Sequence, residues 1–427
     1  MNRPSTLALL LLFPLAFAME MDDGDYTRPN ITNAGSKTFH WLLAVFLGLI
    51  LPSISTVLVF AEKLHAAVLF QIICAAYFLF DVLFLSFPDG DGVENRTSKG
   101  TGVTLMLASA VTVFFALLHS GSKFLQNGKM GAVSKLSERS VRIIHRTLSV
   151  IITLIGWVRA CMAPVAMFGF CRDLHTGQCL AHGIMGSAFV GYGFVYAMVL
   201  VLPYFRESSH KHSQEFYDST VMMIWGIVNT FTEHRWGTEP WGHGDYQHTA
   251  MGIIWWCGGL LGMFLSRGGR RSFIPSLLLI YTGWAMSEHV QELAVSTKVH
   301  YMFGLVLMTG GALRIMEIAF LLRDERCVPG KILSFQYLPS FCLIESGVLF
   351  MGANEEQLEL VLRMKADHSS YIMVITGAAF MIYLWMLLLL ELYQKLSVTS
   401  KIDLASYSAV ERSTGDAQDF ELDDLEE

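Results

Sequence analysis

Apolar residues in this chain are gathered into long blocks separated by short polar breaks. Eleven blocks carry almost no charge: 39–60, 64–87, 101–120, 143–170, 181–205, 219–232, 246–266, 273–293, 299–322, 332–352 and 369–393. A helix that crosses hydrocarbon about 30 Å thick needs roughly 20 apolar residues. Each block therefore predicts a transmembrane helix, 219–232 being the shortest. No block alternates apolar and polar residues at the period of two that a membrane barrel requires. The pattern predicts an all-α polytopic membrane protein of about eleven spans.

The polar breaks give a topology. Arg3 precedes the apolar stretch 7–17, and Ala16-Phe17-Ala18 has the small-x-small form of a signal-peptidase site, so residues 1–18 read as a cleaved signal peptide. Residues 19–38 are then an outer polar segment, and Asn30-Ile31-Thr32 within it is a glycan acceptor. Eleven crossings leave the C-terminus in the cytosol, and basic residues favour that side. Two inner loops agree: 123–142 holds Lys123, Lys129, Lys135, Arg139 and Arg142, and another holds Arg267, Arg270 and Arg271. A second sequon, Asn95-Arg96-Thr97, falls outside, as do Cys171 and Cys179, which an oxidising compartment lets pair. Such a chain resides in the secretory pathway, vacuole or plasma membrane, with the bilayer as its principal partner. The break at 206–218 divides a five-helix bundle, 39–205, from a six-helix bundle, 219–393, and reads as a cytosolic linker. Residues 394–427 form an acidic cytosolic tail.

Composition narrows the function classes. Of 427 residues 53% are apolar and 16% charged, with a net charge of −7. A soluble enzyme is excluded, and the charge is wrong for nucleic acid.

Fourteen histidines in so apolar a chain direct attention to metals and haem. His40 and His182 open helices on the outer side, and His65 and His145 open helices on the inner side. One pair at each face is the count that two stacked b-type haems need. The strings His40-Trp-Leu-Leu, Lys63-Leu-His65, His145-Arg-Thr-Leu-Ser and His182-Gly-Ile-Met-Gly resemble, in order, the four histidine helices of the ascorbate-type di-haem b cytochromes. That resemblance implies haem b at these four positions and a small-molecule electron donor. The bland alternative is that histidines at helix ends serve as interfacial anchors.

A second constellation lies in the later half. The string from Thr232 to His248 closes one span and opens the next, bringing His234, His243 and His248 to the outer face. Glu288, His289 and Glu292 arrive there from the eighth span and His300 from the ninth. Asp245 and His248, like His289 and Glu292, are three apart and share a helical face. Imidazole with carboxylate suits a transition-metal ion or a proton relay; a polar rim with interfacial tryptophans is the alternative. Asp81 and Glu345 are acids at membrane depth, Arg159 is a candidate partner for Asp81, and Arg314 and Glu317 are spaced to neutralise each other.

The junction Trp236-Gly-Thr-Glu-Pro-Trp-Gly-His243, the helix Tyr246-Gln-His-Thr-Ala-Met-Gly-Ile-Ile-Trp-Trp and the helix Gly283-Trp-Ala-Met-Ser-Glu-His289 resemble the fungal Ytp-one-like membrane proteins. The resemblance implies a multi-pass membrane protein with some likeness to electron-transport proteins. The leading expectation is haem-b-dependent electron transfer across the bilayer, with the outer cluster holding a metal ion or the acceptor. The alternatives are a non-redox metal-ion or proton transporter, and a structural membrane protein without activity.

Overall fold

The computed structural model describes residues 31, 33–85, 95–126, 138–171, 175–207, 211–232, 241–289, 291, 293–323, 325, 327 and 331–423. For 118–126, 138, 207, 243–244 and 398–423 the description is of backbone alone. The signal segment, Asn30 and Thr32 of the first sequon, His234 and Glu292 lie outside the described residues, as does the side chain of His243.

The described residues form helices and no strand. In chain order these are α1 (Ala34–Phe60), α2 (Leu64–Phe84), α3 (Arg96–Gln126), α4 (Glu138–Phe168), α5 (Thr176–Val201), α6 (Gln214–Thr232), α7 (His243–Ser266), α8 (Ile274–Ser287), α9 (Ala294–Leu322), α10 (Leu338–Met351), α11 (Glu355–Arg363) and α12 (His368–Asp423). Each of the eleven apolar blocks is helical over most of its described residues. Eight helices are long and apolar enough to cross a membrane, and α8 is a shorter apolar helix. Large apolar side chains stand outward, Phe84 71% and Val374 70% exposed. That surface is unfavourable in water and suited to lipid.

Proline resets α1. Pro52 has no N–H for the Gly48 carbonyl, and the turn just before it, Phe46–Ile50, widens into a π-helix. Helices α1 to α4 pack together, and their polar tie is Asp81. Its carboxylate accepts from Arg159 Nη2 at 2.8 Å and faces His40 Nδ1 at 3.5 Å, while Arg159 Nη1 donates to the Ser98 carbonyl at 2.7 Å. The expected Asp81–Arg159 pair thus forms, and His40 joins it.

Glycines set the later helix pairs. A Cβ on Gly226 or Gly259 would strike the backbone across the α6–α7 seam, one on Gly283 or Gly304 would strike across α8–α9, and one on Gly186 or Gly347 across α5–α10. Small residues allow this closeness where apolar surface gains nothing by leaving lipid.

Helix α5, assigned to the first bundle, packs along α10 and also touches α12. The polar break at 206–218 is only partly a linker, because α6 begins at Gln214 and buries Glu215 and Asp218 to 1% and 3% exposure. Helix α11 had no counterpart among the predicted elements. Asn354 caps it by accepting from Glu356 N–H at 3.0 Å, and its Leu358 packs on Val295 and Val299 of α9. Cys171 and Cys179 are joined as a disulfide, and Glu356 accepts from Cys171 N–H at 2.5 Å.

Candidate functional site

A cavity of about 330 Å³ lies between α5, α6, α7, α8, α9 and α10, at the end that carries the disulfide. It is lined by His182 of α5, His248 of α7, His289 just beyond α8 and His300 of α9. Three helix starts and one helix end deliver these side chains. Asp245 fixes the start of α7 by accepting from Gly242 N–H at 2.7 Å, which sets His248 one turn inside. The end of α8 stays wound through His289 N–H to Met286 O at 3.4 Å, so His289 remains over the same face.

The rings form a series. Centroids are 5.8 Å apart for His182 and His300, 6.1 Å for His300 and His289, and 5.4 Å for His289 and His248. His182 and His300 are 8% and 2% exposed, and His182 lies 4.6 Å from the Phe350 ring.

Hydrogen bonds assign two tautomers. Gln247 donates through Nε2 to the Ala285 carbonyl at 2.5 Å, which turns its Oε1 toward His289 Nδ1. An amide oxygen only accepts, so Nδ1 of His289 carries the proton and Nε2 keeps its lone pair. The same logic applies to His300, whose Nδ1 faces the Ser296 carbonyl at 2.9 Å. A carbonyl or amide partner on one ring nitrogen is the usual support of a histidine that ligates through the other.

The remaining sequence candidates fall elsewhere. Glu288 is exposed and not on the cavity wall, and Asp245 is a helix cap. Among the described residues the lining is histidine with amide, hydroxyl and thioether groups; His234, Glu292 and the side chain of His243 lie outside the description. Among the described residues, no three of His, Cys, Asp and Glu already stand in metal-holding geometry. The four haem candidates are dispersed: His65 is exposed, His145 is fully buried in α4, and His40 sits against Asp81. The cavity that contains His182 includes none of the other three. Sequence reading paired His182 with His40; the structure brings it to His300.

A second polar centre lies at the opposite end of the same helices. Arg314 donates to Glu317 at 2.6 Å and to Glu215 at 2.8 Å, and Arg271 donates to Glu215 at 2.8 Å. The Arg314–Glu317 pairing is the one the spacing predicted. Beside it, Asp218 accepts from Tyr192 at 2.5 Å and Tyr196 at 2.6 Å. Glu345 accepts from Thr376 at 2.9 Å. The centre at Glu215 and Asp218 was missed because those residues read as linker, although three acids or bases within one apolar neighbourhood is itself a signal.

The whole chamber lies within residues 155–394, which match the family model "Protein YTP1-like, C-terminal". The chain is 56% identical to Protein YTP1 of Saccharomyces cerevisiae over 410 residues, covering 95% of this chain and 89% of the relative. It is also 26% identical over 261 residues to an uncharacterized membrane protein of Schizosaccharomyces pombe, half of each chain being covered. No solved structure matches. Matched across most of its length and throughout its chamber, the chain belongs to the Ytp1-like family of membrane proteins.

Proposed function

We propose that this integral membrane protein binds a transition-metal ion in the histidine chamber, as the loading site of a non-redox transport function. The observation that carries the reading is the paired tautomer assignment. His289 and His300 each engage a carbonyl-type acceptor through Nδ1, the usual support of a histidine that ligates through its other ring nitrogen, and both line one cavity with His182 and His248. Two imidazoles bound to one ion at about 2.0–2.1 Å place their centroids roughly 5–6.5 Å apart. The three ring separations fall in that interval.

Haem b finds no comparable support: His65 is exposed, His145 is buried within α4, His40 faces Asp81, and the chamber lined by His182 includes none of these three. The test is metal content and Co(II) titration of the full-length protein in detergent. Wild type is expected to bind in stoichiometric amount, with His289→Ala and His300→Ala each weakening binding by at least about tenfold. Folded wild-type protein that takes up no zinc, cobalt or copper overturns the reading.

A further inference from the structure

The chamber wall repeats one arrangement on three helices. On α5 His182 is followed three residues later by Met185, and on α7 His248 is followed by Met251. At the end of α8 the order reverses, Met286 preceding His289 by three. All six side chains line the same cavity. Residues three apart stand on one face of a helix, one turn separated. Each of these helices thus offers an imidazole and a thioether side by side.

Three features of this lining select among metals. Thioether sulfur is a soft ligand that favours Cu(I), whereas hard divalent ions require several oxygens. Among the described residues no carboxylate or thiolate lines the cavity; its side-chain oxygens belong to Gln178, Asn229, Gln291 and Thr282, and Thr282 is occupied with Trp255 and the Leu278 carbonyl. The described wall is also without formal charge when its histidines are neutral. The cost of taking an ion out of water rises with the square of its charge, so a divalent ion pays about fourfold more than a monovalent one in a neutral apolar chamber. Soft ligands, a lining whose described residues hold no anion, and enclosure between helices all point to a soft monovalent cation.

We propose that the ion bound here is Cu(I), held by imidazole and thioether together. This rests on the metal-binding reading above and adds the identity of the ion. Met185, Met251 and Met286 are ligand candidates that a purely structural role would leave as apolar filling; Met286 belongs to the buried core and the other two pack against it. The chamber takes the ion already reduced, and no change of oxidation state occurs in it.

The test uses full-length protein in detergent under argon, with copper kept as Cu(I) by ascorbate and competed by bathocuproine disulfonate. Zn(II) and Co(II) serve as comparison ions. The test variant carries Met185→Leu, Met251→Leu and Met286→Leu together, a near volume-conserving change that protects the packing. The expected result is a loss of Cu(I) affinity of at least about tenfold in this variant with Zn(II) and Co(II) binding unchanged. Sulfur at bonding distance in copper X-ray absorption of the wild type, lost in the variant, supports the same assignment. Unchanged Cu(I) affinity in the triple variant, with binding still abolished by His289→Ala, overturns the Cu(I) proposal and leaves the metal reading standing. Absence of binding for all three ions in folded wild type overturns both.

Discussion

Asp81 carries a buried charge that two other helices complete. Its pairing with Arg159 at 2.8 Å is enclosed, both side chains being below a tenth exposed. Removing one partner of such a pair leaves an uncompensated charge and costs about 3–5 kcal/mol, whereas replacing both with apolar groups is often neutral. Asp81→Ala is therefore expected to lower the thermal midpoint of the detergent-solubilised protein sharply, and adding Arg159→Met to recover most of the loss. Equal destabilisation in the single and double variants would show that the pair does not act as a unit. This contact was legible in the sequence because two opposite charges at membrane depth have few alternatives. The chamber was legible only in part. His182, His248, His289 and His300 were all placed at the outer face by topology, but His182 was paired with His40, since periodicity along a helix says nothing about which neighbour its face meets. The methionines escaped notice because in an apolar span they read as filling.

The chamber depends on how closely its helices approach. Backbone contact between Gly283 of α8 and Gly304 of α9 holds His289 and His300 in register, and any side chain at Gly304 would meet the Gly283 carbonyl. Gly304→Leu is expected to part the two helices, destabilise the protein by about 1–3 kcal/mol and weaken metal binding in parallel. Gly377→Leu in α12 is the control, because a Cβ there meets nothing within 4 Å. It should leave both the thermal midpoint and binding unchanged; a loss equal to that of Gly304→Leu would mean that added bulk, and not the seam, is responsible. At this scale the sequence was a good guide to where the long apolar helices lie, since length and apolarity define a span. It was a poor guide to α11 and to the start of α6. Helix α11 is amphipathic and nine residues long, and Glu215 and Asp218 become buried only because Arg271, Arg314, Tyr192 and Tyr196 arrive from distant positions to meet them.

Across the whole molecule, α5 connects the two polar centres. His182, Met185, Phe189, Tyr192 and Tyr196 recur at helical spacing along one side, and 14 residues at 1.5 Å rise separate His182 from Tyr196 by about 21 Å. The stripe passes from the chamber, through the contact of Phe189 with Phe303 at 5.9 Å and of Phe303 with Phe350 at 4.9 Å, to the tyrosines on Asp218. Rings packed in this way exclude water, so an ion loaded at the histidine end meets an apolar barrier before it reaches the carboxylates. If the chamber loads ions for transport, this barrier limits the rate. Phe303→Ala should then raise metal entry into proteoliposomes several-fold while leaving equilibrium affinity at the chamber within about twofold, because none of the histidines is altered. Asp218→Asn should do the reverse, slowing entry with chamber affinity intact, since it alters only the far end of the path. A Phe303→Ala protein that binds normally and admits metal no faster than wild type would place the barrier elsewhere. Equal entry into vesicles with and without the protein would mean that the chamber stores its ion and does not pass it on.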